Sequence, residues 1–398
     1  MMKDGLLTGI RVLDFTQFLA GPYCGQYLAD LGAEVIKVEN LKAGGDFNRV
    51  TPPFQDDVSA YFCTINRNKK GISIDLKSET GKKIFAELVK SADVLLENNR
   101  PGVMKRLGFG YEECRALNER LIYASVSGFG QYGPYAPRPG YDLIAQAMSG
   151  AMSITGWPDD PPTRAGIPLG DVLAGLNACI GIVASLYKRM ETGKGQQIDV
   201  SLIDSTIGSM QSLLPQYTYG GKLPIKTGNR YLAAAPYDSF MAKDTYFVLA
   251  CGTNPHFKIL CETMGKPELL QDDRFDNMEK RRANEDQLKV VIQDWAKDKT
   301  AAEVVEIFNN AGLPVGPVYT FKDVVEDEHV KAREMQVTVP HSRVGSMQVT
   351  GNPIKMSEYP VQYYKASPDL GEDNDEVFSS IGFTPKQISE FRSQGAIG

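Results

Sequence analysis

Residues 168–187 read PLGDVLAGLNACIGIVASLY, a single carboxylate followed by a long apolar segment. Apolar side chains recur at roughly helical spacing, at Leu173, Leu176, Ile180, Val183 and Tyr187. The preceding Pro and Gly place Asp171 at or next to the N-terminus of the predicted helix. Polar residues across 188–195 predict its end, and the alternation at 198–202 predicts a strand.

Asp171 allows two compatible interpretations. It is a favoured type of N-cap, because its carboxylate accepts a bond from an unpaired backbone N–H, and the local pattern favours this role. It is also a candidate nucleophile, because a carboxylate beside the positive end of a helix stays ionised. The adjacent Gly170 lets a substrate approach the backbone closely.

Length and composition indicate a soluble protein of two domains. The chain has 398 residues, 42% of them apolar and 23% charged, with a net charge of −6. Nothing in this balance points to nucleic acid. No uninterrupted apolar run reaches about 18 residues, so we expect no membrane-spanning helix. The N-terminus lacks the apolar centre of a signal peptide, and we expect a cytoplasmic protein.

Cysteine and histidine limit the possible chemistry. The six cysteines form no CxxC pair, so we expect buried thiols in a reducing compartment and no structural metal site. The histidines, His256, His329 and His341, all lie in the C-terminal part of the chain. Chemistry in the N-terminal half must therefore use carboxylates, amides, hydroxyls or thiols.

Residues 9–39 predict a strand, a helix and a second strand, which is typical of half a doubly wound parallel sheet. The turn at 16–22 lacks GxGxxG, so a conventional NAD enzyme is disfavoured. Residues 71–127 continue the alternation. The strand at 93–97 ends in Asn-Asn-Arg-Pro-Gly, at a junction where such folds bind ligands. The polar stretch 66–70 reads as a solvated turn, with a phosphate contact as the alternative.

Several motifs in order resemble the class III CoA transferases, the formyl-CoA and carnitine CoA transferase (CaiB/BaiF) family. They are LDF at 13–15, AGP at 20–22, LGAEVIKVE at 31–39, DVLLEN at 93–98, RPG at 100–102, GD at 170–171 and GKGQQIDV at 193–200. The resemblance implies an α/β fold with a Rossmann-like doubly wound large domain, formed by 1–205 and 335–398. It further implies a linker at 206–224, a smaller α/β domain at 225–330, and an interlocked, ring-shaped homodimer.

The resemblance also implies a reaction. Asp171 attacks an acyl-CoA carbonyl to give a mixed anhydride, and the CoA thiolate then converts this anhydride into an aspartyl-CoA thioester. An acceptor carboxylic acid takes the CoA through a second anhydride. Acyl-CoA and a carboxylic acid are thus the partners, with no tightly bound cofactor. The oxyanions need preorganised donors, and the backbone N–H groups near Leu19 and Ala20 are our candidates.

Matched positions supply the remaining candidate residues. The CoA site would be lined by Asn98, Arg106 and Leu76, with Lys37, Lys69 and Arg138 as further phosphate contacts. Tyr141 would neighbour the thioester, Asp142 would be an acidic residue near the active site, and Tyr61 would lie at the acyl pocket.

Two departures and two alternatives accompany the resemblance. Formyl-CoA transferases carry a four-glycine run that residues 228–236 lack, and they carry Gln where this chain has Leu19, which suggests a bulkier or less polar acyl group. An α-methylacyl-CoA racemase is one alternative, but its catalytic histidine is replaced by Tyr141. The other is a non-catalytic acyl-CoA-binding protein, since a fold does not fix a function.

Overall fold

The computed structural model describes residues 5–398 and divides them into two compact units. The larger unit comprises 5–152, 164–222 and 328–398, and the smaller comprises 153–163 and 223–327. The expected linker at 206–224 differs from this division, because 206–222, which hold the end of one helix and the whole of another, belong to the larger unit. The smaller unit also takes in 153–163, a segment that the sequence had placed in the large domain.

Strands and helices have the following bounds in the described residues. The strands are β1 Arg11–Phe15, β2 Glu34–Asn40, β3 Phe54–Gln55, β4 Val58–Ser59, β5 Lys70–Ile74, β6 Val94–Glu97, β7 Ile122–Ser127, β8 Gln197–Ser201, β9 Tyr237–Met241, β10 Tyr246–Ala250, β11 Val315–Pro317, β12 Gln336–His341 and β13 Gly345–Thr350. The α-helices are α1 Ala20–Asp30, α2 Ala60–Asn66, α3 Glu79–Ser91, α4 Val103–Leu107, α5 Tyr111–Leu117, α6 Asp142–Met148, α7 Ala151–Ile154, α8 Leu169–Thr192, α9 Leu202–Ser209, α10 Leu213–Thr218, α11 Asn254–Thr263, α12 Met278–Ala283, α13 Glu285–Ala296, α14 Ala301–Asn310, α15 Phe321–Glu326, α16 Glu328–Ala332, α17 Asn374–Ser380 and α18 Pro385–Ser393.

A parallel sheet organises the larger unit. Within residues 5–398 its six strands lie in the order β5-β2-β1-β6-β7-β8, and each neighbouring pair is parallel. In chain order this is 3-2-1-4-5-6, the order of a doubly wound nucleotide-binding sheet, and the predicted α/β architecture is confirmed. The order reverses between β1 and β6, and ligands bind such sheets at the carboxyl ends of the strands beside that point.

Apolar side chains cover both faces of this sheet. Helices α3, α17 and α18 contribute to the core on one face, with Phe85 and Phe378 fully buried there. Helices α1 and α8 cover the other face with Leu28, Ala178 and Ile182. The strands therefore read as nearly continuous apolar runs, as strands buried on both faces do.

Helix α8 is long and apolar enough to cross a membrane by length and composition alone, which our count of uninterrupted apolar residues did not anticipate. One such helix is weak evidence, because core helices of soluble proteins pass the same test. Its inner face packs with α1 on the sheet, which is the environment of a core helix.

The smaller unit has its own core. Strands β11, β10 and β9 form an antiparallel sheet in that order. Helices α11, α13 and α14 pack on it around Phe247, Phe257 and Phe308. Thr300 and Glu303 form a capping box that starts α14, which explains why that helix begins at Ala301.

The stretch 66–70 is not the solvated turn that its charge suggested. Residues 66–69 are buried, and the Arg67 guanidinium lies 2.6 Å from Asp30 on α1. Asn68 donates to the carbonyl oxygen of Gln362, which ties the C-terminal segment to α1. The polar side chains are thus internal connections, a role that a local charge pattern does not reveal.

Gly175 controls how closely α1 and α8 approach. A Cβ built at Gly175 would lie 2.7 Å from the carbonyl oxygen of Ala20. We predict that Gly175→Ala forces the two helices apart and lowers the free energy of unfolding by about 1–3 kcal/mol, measured by urea denaturation. Gly208→Ala is the control, because a Cβ there meets nothing within 4 Å. It should leave stability unchanged or raise it by up to about 1 kcal/mol. Equal midpoints for the two variants would show that this crossing tolerates the methyl group.

Candidate active site

A cavity of about 320 Å³ opens at the carboxyl ends of the sheet strands, beside the point where the strand order reverses. Its walls come from the turn after β1, the loop after β6, the segment that leads into α6, and the start of α8. The lining includes Gln17, Phe18, Ala20, Asn98, Arg100, Arg138, Tyr141 and Asp171. A larger cavity of about 740 Å³ lies at the opposite ends of the strands, where its charged side chains are engaged in ion pairs such as Arg11 with Glu34.

Asn98 joins the two loops on either side of the switch point. Its side-chain oxygen accepts from the Gln17 N–H at 2.9 Å, and its amide nitrogen donates to the Gln17 carbonyl at 2.6 Å. This pair of bonds holds the turn after β1 against the end of β6. Asn98 lines the cavity as expected, but its side chain is engaged with protein backbone.

Asp171 is not the N-cap of its helix. Helix α8 begins at Leu169 with Pro168 before it, so Asp171 is the third helical residue. Its carboxylate faces the cavity and remains partly exposed. The N-cap interpretation is wrong because Pro168 holds the N-cap position and the helix begins two residues before Asp171.

Asp142 supplies the cap that Asp171 does not. Its Oδ1 accepts from the backbone N–H of Gly170 at 2.8 Å, so a carboxylate from α6 sits at the N-terminus of α8. Gly170 permits this contact, because a Cβ there would lie 3.3 Å from that oxygen and from Ala145. Two aspartates thus converge on one helix end.

Burial, and then the Asp142 carboxylate, raise the pKa of Asp171 to about 7. The positive end of α8 acts in the opposite direction. We expected Asp171 to be fully ionised, and the structure shows a carboxyl group that titrates near neutrality. Burial, Asp171 and Asp46 raise the pKa of Tyr61 to about 12, so Tyr61 lies within electrostatic reach of Asp171 and remains a phenol.

Phe18 has a left-handed backbone, with φ of 65°, which is uncommon for a residue other than glycine. Asn48 Nδ2 donates to its carbonyl oxygen at 2.6 Å and fixes this conformation. Its ring meets Tyr141 edge-on, with centroids 6.0 Å apart, and Phe47 at 5.7 Å. Strained residues of this kind cluster at functional sites.

Lys37 and Lys69 do not line the cavity. Both are fully buried, and their ammonium groups lie 2.8 Å from Asp46 and 2.7 Å from Asp14. Lys37 also donates to the carbonyl oxygen of Thr16 at 2.8 Å. The expected phosphate contacts are corrected, because neither ammonium group has a surface that a ligand can reach.

The other matched residues take up varied positions. Leu76 packs in the core below the sheet. Arg106 is exposed on α4 and does not line the cavity. Arg138 is exposed at the cavity wall, 4.0 Å over the Tyr135 ring. Leu19 precedes α1 and Ala20 begins it. Their backbone N–H groups therefore have no acceptor within the helix.

Sequence reasoning missed Phe18 and Gln146, and it named Arg100 only as part of the motif after β6. Gln146 carried a usable signal, because it lies four residues after Asp142 and therefore on the same helix face. Phe18 carried none, since its left-handed conformation depends on Asn48 thirty residues away.

The site can therefore present a carboxylate to a bound carbonyl beside the unpaired amides of a helix start. Among the described residues, no histidine lines this cavity, and Tyr141 forms part of its wall. The arrangement suits acyl transfer through a carboxylate rather than exchange of an α-proton.

Comparison with known proteins decides the family. Residues 7–374 match the model of CoA-transferase family III. The chain belongs to this family. It is a CoA transferase, an enzyme that moves CoA between an acyl-CoA donor and a carboxylic acid acceptor.

Relatives of this CoA transferase align over nearly their whole length. It is 44% identical over 89% of the chain to the acetyl-CoA:oxalate CoA-transferase of Acetobacter aceti, covering 90% of that protein. It is 36% identical over 98% of the chain to the succinyl-CoA–D-citramalate CoA-transferase of Chloroflexus aurantiacus, covering 98% of it. A CaiB/BaiF family protein from Brucella suis superposes with a TM-score of 0.86 at 35% identity, over 95% of this chain and all of that one.

The raised pKa of Asp171 predicts a pH-dependent stability. The unfolded carboxyl ionises near 3.8 and the folded one near 7, so folding binds a proton between these values. Stability from this group is therefore present at low pH and is lost as pH rises from about 4 to 7. We predict that Asp171→Asn exceeds wild type by about 2–4 kcal/mol at pH 8 and matches it near pH 4, measured by urea denaturation. A difference that does not vary with pH would contradict the assignment.

Proposed function

We propose that Asp171 is the nucleophile of this CoA transferase. One observation carries the proposal: a partly buried carboxylate lies at the positive end of α8 and faces a cavity at the switch point of the sheet. A carboxyl group with a pKa near 7 is about half ionised at neutral pH and is more basic than an ordinary aspartate, so the ionised fraction is the better nucleophile.

In the proposed reaction, acyl groups pass between thioesters and anhydrides in four steps. Asp171 attacks the donor thioester, the C–S bond breaks, and CoA thiolate leaves an anhydride. The thiolate then attacks the aspartyl carbonyl, releases the donor acid, and forms an aspartyl-CoA thioester. The acceptor carboxylate displaces the thiolate to form a second anhydride, and the thiolate attacks the acceptor's own carbonyl, which frees Asp171.

The amides at the start of α1 are the proposed oxyanion donors. Leu19, Ala20 and Gly21 supply the free N–H groups of this first turn. Pro22, the next residue, has no N–H to donate. Asn98 and the Lys37 network fix the backbone that carries them. Preorganised donors of this kind stabilise developing negative charge without reorganisation during the reaction.

We propose a short dicarboxylic acid as acceptor. Oxalate and D-citramalate, in the names of two relatives, are both dicarboxylates. Arg100 and Arg138 line the cavity and provide guanidinium groups that bind carboxylate or phosphate oxygens. Tyr61, within electrostatic reach of Asp171, is the proposed contact of the acyl group.

We predict that Asp171→Ala lowers CoA transfer about a thousandfold or more, because no covalent intermediate forms. The assay uses acetyl-CoA with oxalate and succinyl-CoA with citramalate. Hydroxylamine trapping after incubation with acyl-CoA should modify Asp171 in the wild type, detected by peptide mass. Asp204→Ala is the matched control, because Asp204 is the third residue of α9 but lies outside the cavity. Transfer by Asp171→Ala at the rate of this control would refute the nucleophile.

We also propose that the enzyme is a homodimer of interlinked chains, as the resemblance implies. Helix α8 carries an exposed apolar stripe at 3-4-3 spacing, formed by Ile180, Val183, Tyr187 and Met190. Tyr187 is 78% and Met190 84% exposed in the single chain. Contiguous apolar patches of this kind mark interaction surfaces, and a second copy would cover this one.

We predict that the double variant Tyr187→Lys and Met190→Lys weakens self-association, measured as mass by light scattering over a dilution series. The control exchanges the exposed ion pair on the same helix, Lys188→Glu with Glu191→Lys. It should stay dimeric, because it keeps both the net charge and the apolar stripe. A dimer that survives dilution equally in both variants would exclude this helix from the interface.

A further inference from the structure

Gln146 is a fully buried glutamine one turn after Asp142 on α6. Its Nε2 donates to Asp142 Oδ2 at 2.8 Å, and its Oε1 accepts from the Ala165 N–H at 2.8 Å. The same nitrogen lies 3.4 Å from the Ile167 carbonyl oxygen. These partners fix the orientation of the amide, because the opposite orientation would set its oxygen against a carboxylate and a carbonyl.

These bonds connect α6 to the irregular segment that leads into α8. Ala165 and Ile167 directly precede the helix that carries Asp171, and Asp142 is bonded to the Gly170 N–H at its start. One buried side chain therefore fixes both the approach of α8 and the carboxylate that caps it. A buried amide is costly unless its bonds are made, so this arrangement resists displacement.

We propose that Gln146 is a positioning residue for CoA transfer: it holds the Asp142 carboxylate against the N-terminus of α8 and so fixes the negative charge that faces Asp171. The inference rests on the proposed role of Asp171 as nucleophile. It assigns the positioning of the charge that faces Asp171 to a residue outside the cavity. Both carboxylate oxygens of Asp142 are used, one by Gly170 and one by Gln146. Without the glutamine, Oδ2 loses its partner and the carboxylate turns towards water.

The other polar groups around Asp171 do not depend on Gln146. They are Tyr61 on α2, Arg100 after β6, and Arg138 and Tyr141 before α6. A change at Gln146 therefore acts on Asp171 through Asp142 and through the approach of α8. The expected sign follows: when the Asp142 charge moves away, its repulsion weakens and Asp171 ionises at lower pH.

The test measures isotope exchange between an acyl-CoA and its own labelled acid, with acetyl-CoA and acetate or succinyl-CoA and succinate, from pH 5 to 9. This exchange needs no knowledge of the natural acceptor. Gln146→Met should lower the maximal rate about tenfold to a hundredfold through misplacement of the helix end. It should also move the pH midpoint of the rate down by about one unit. A loss of folded protein alone would lower the rate without moving the midpoint.

Two further variants separate positioning from general damage. Gln146→Glu keeps both bonds only while the new acid is protonated, so it should approach the wild-type rate at pH 5–6 and lose activity as pH rises. In an Asp142→Asn background, Gln146→Met should shift the midpoint no further. Gln211→Met, at an exposed glutamine of the same unit, should behave as wild type.

The proposal is overturned if Gln146→Met keeps the wild-type midpoint, or if its shift is equally large in the Asp142→Asn background. Failure of the underlying mechanism gives a different result, since Asp171→Ala would then retain exchange. If Asp171→Ala is inactive and the midpoint of Gln146→Met is unmoved, the nucleophile stands and the positioning role is excluded.

Discussion

Two buried ion pairs, Lys69 with Asp14 and Lys37 with Asp46, hold the turn between β1 and α1 on which the site depends. Lys69 also donates to the Pro22 carbonyl in the first turn of α1. Burial lowers the pKa of Lys69 to about 8, and the group stays charged at neutral pH beside Asp14. Removing one partner of such a pair leaves an uncompensated charge, at a cost of about 3–5 kcal/mol. The two ion pairs therefore fix the position of the turn and of its backbone N–H groups.

The same network explains why the sequence misled on these lysines. Lys37 lies inside β2 and Lys69 just before β5, and matched family positions suggested both as phosphate contacts. Their real partners are Asp14, which the parallel pairing of β1, β2 and β5 brings near, and Asp46, which lies in the loop after β2. Strand and helix periodicity predicted the sheet, since each element carries its own pattern. A contact between residues 14 and 69 leaves no local pattern, so the polar interior could not be predicted in the same way.

The pKa of Asp171 could not be predicted from the local sequence either. Its position near a helix start was readable from Pro168, Gly170 and the apolar run, and the family resemblance singled it out. Its proton affinity depends on a second carboxylate, Asp142, which reaches it through tertiary packing against Gly170. Local reasoning included the helix dipole and omitted burial and Asp142, and these two move the pKa the other way. The position was predictable, and the ionisation was not.

A carboxyl group that titrates near neutrality suits a proposed reaction in which the same group first attacks a carbonyl and later departs from one. In the proposed mechanism Asp171 attacks a thioester and later leaves an anhydride, so extreme basicity would help the first step and hinder the second. A carboxyl group with a pKa near 7 lies between an ordinary aspartate and a strong base. The proposed mechanism needs no histidine, because the Asp171 carboxyl group loses its own proton near neutral pH. Burial contributes most to this pKa, and the Asp142 carboxylate, which raises it further, also caps the helix, so the geometry of the site and part of its proton affinity depend on the same contact.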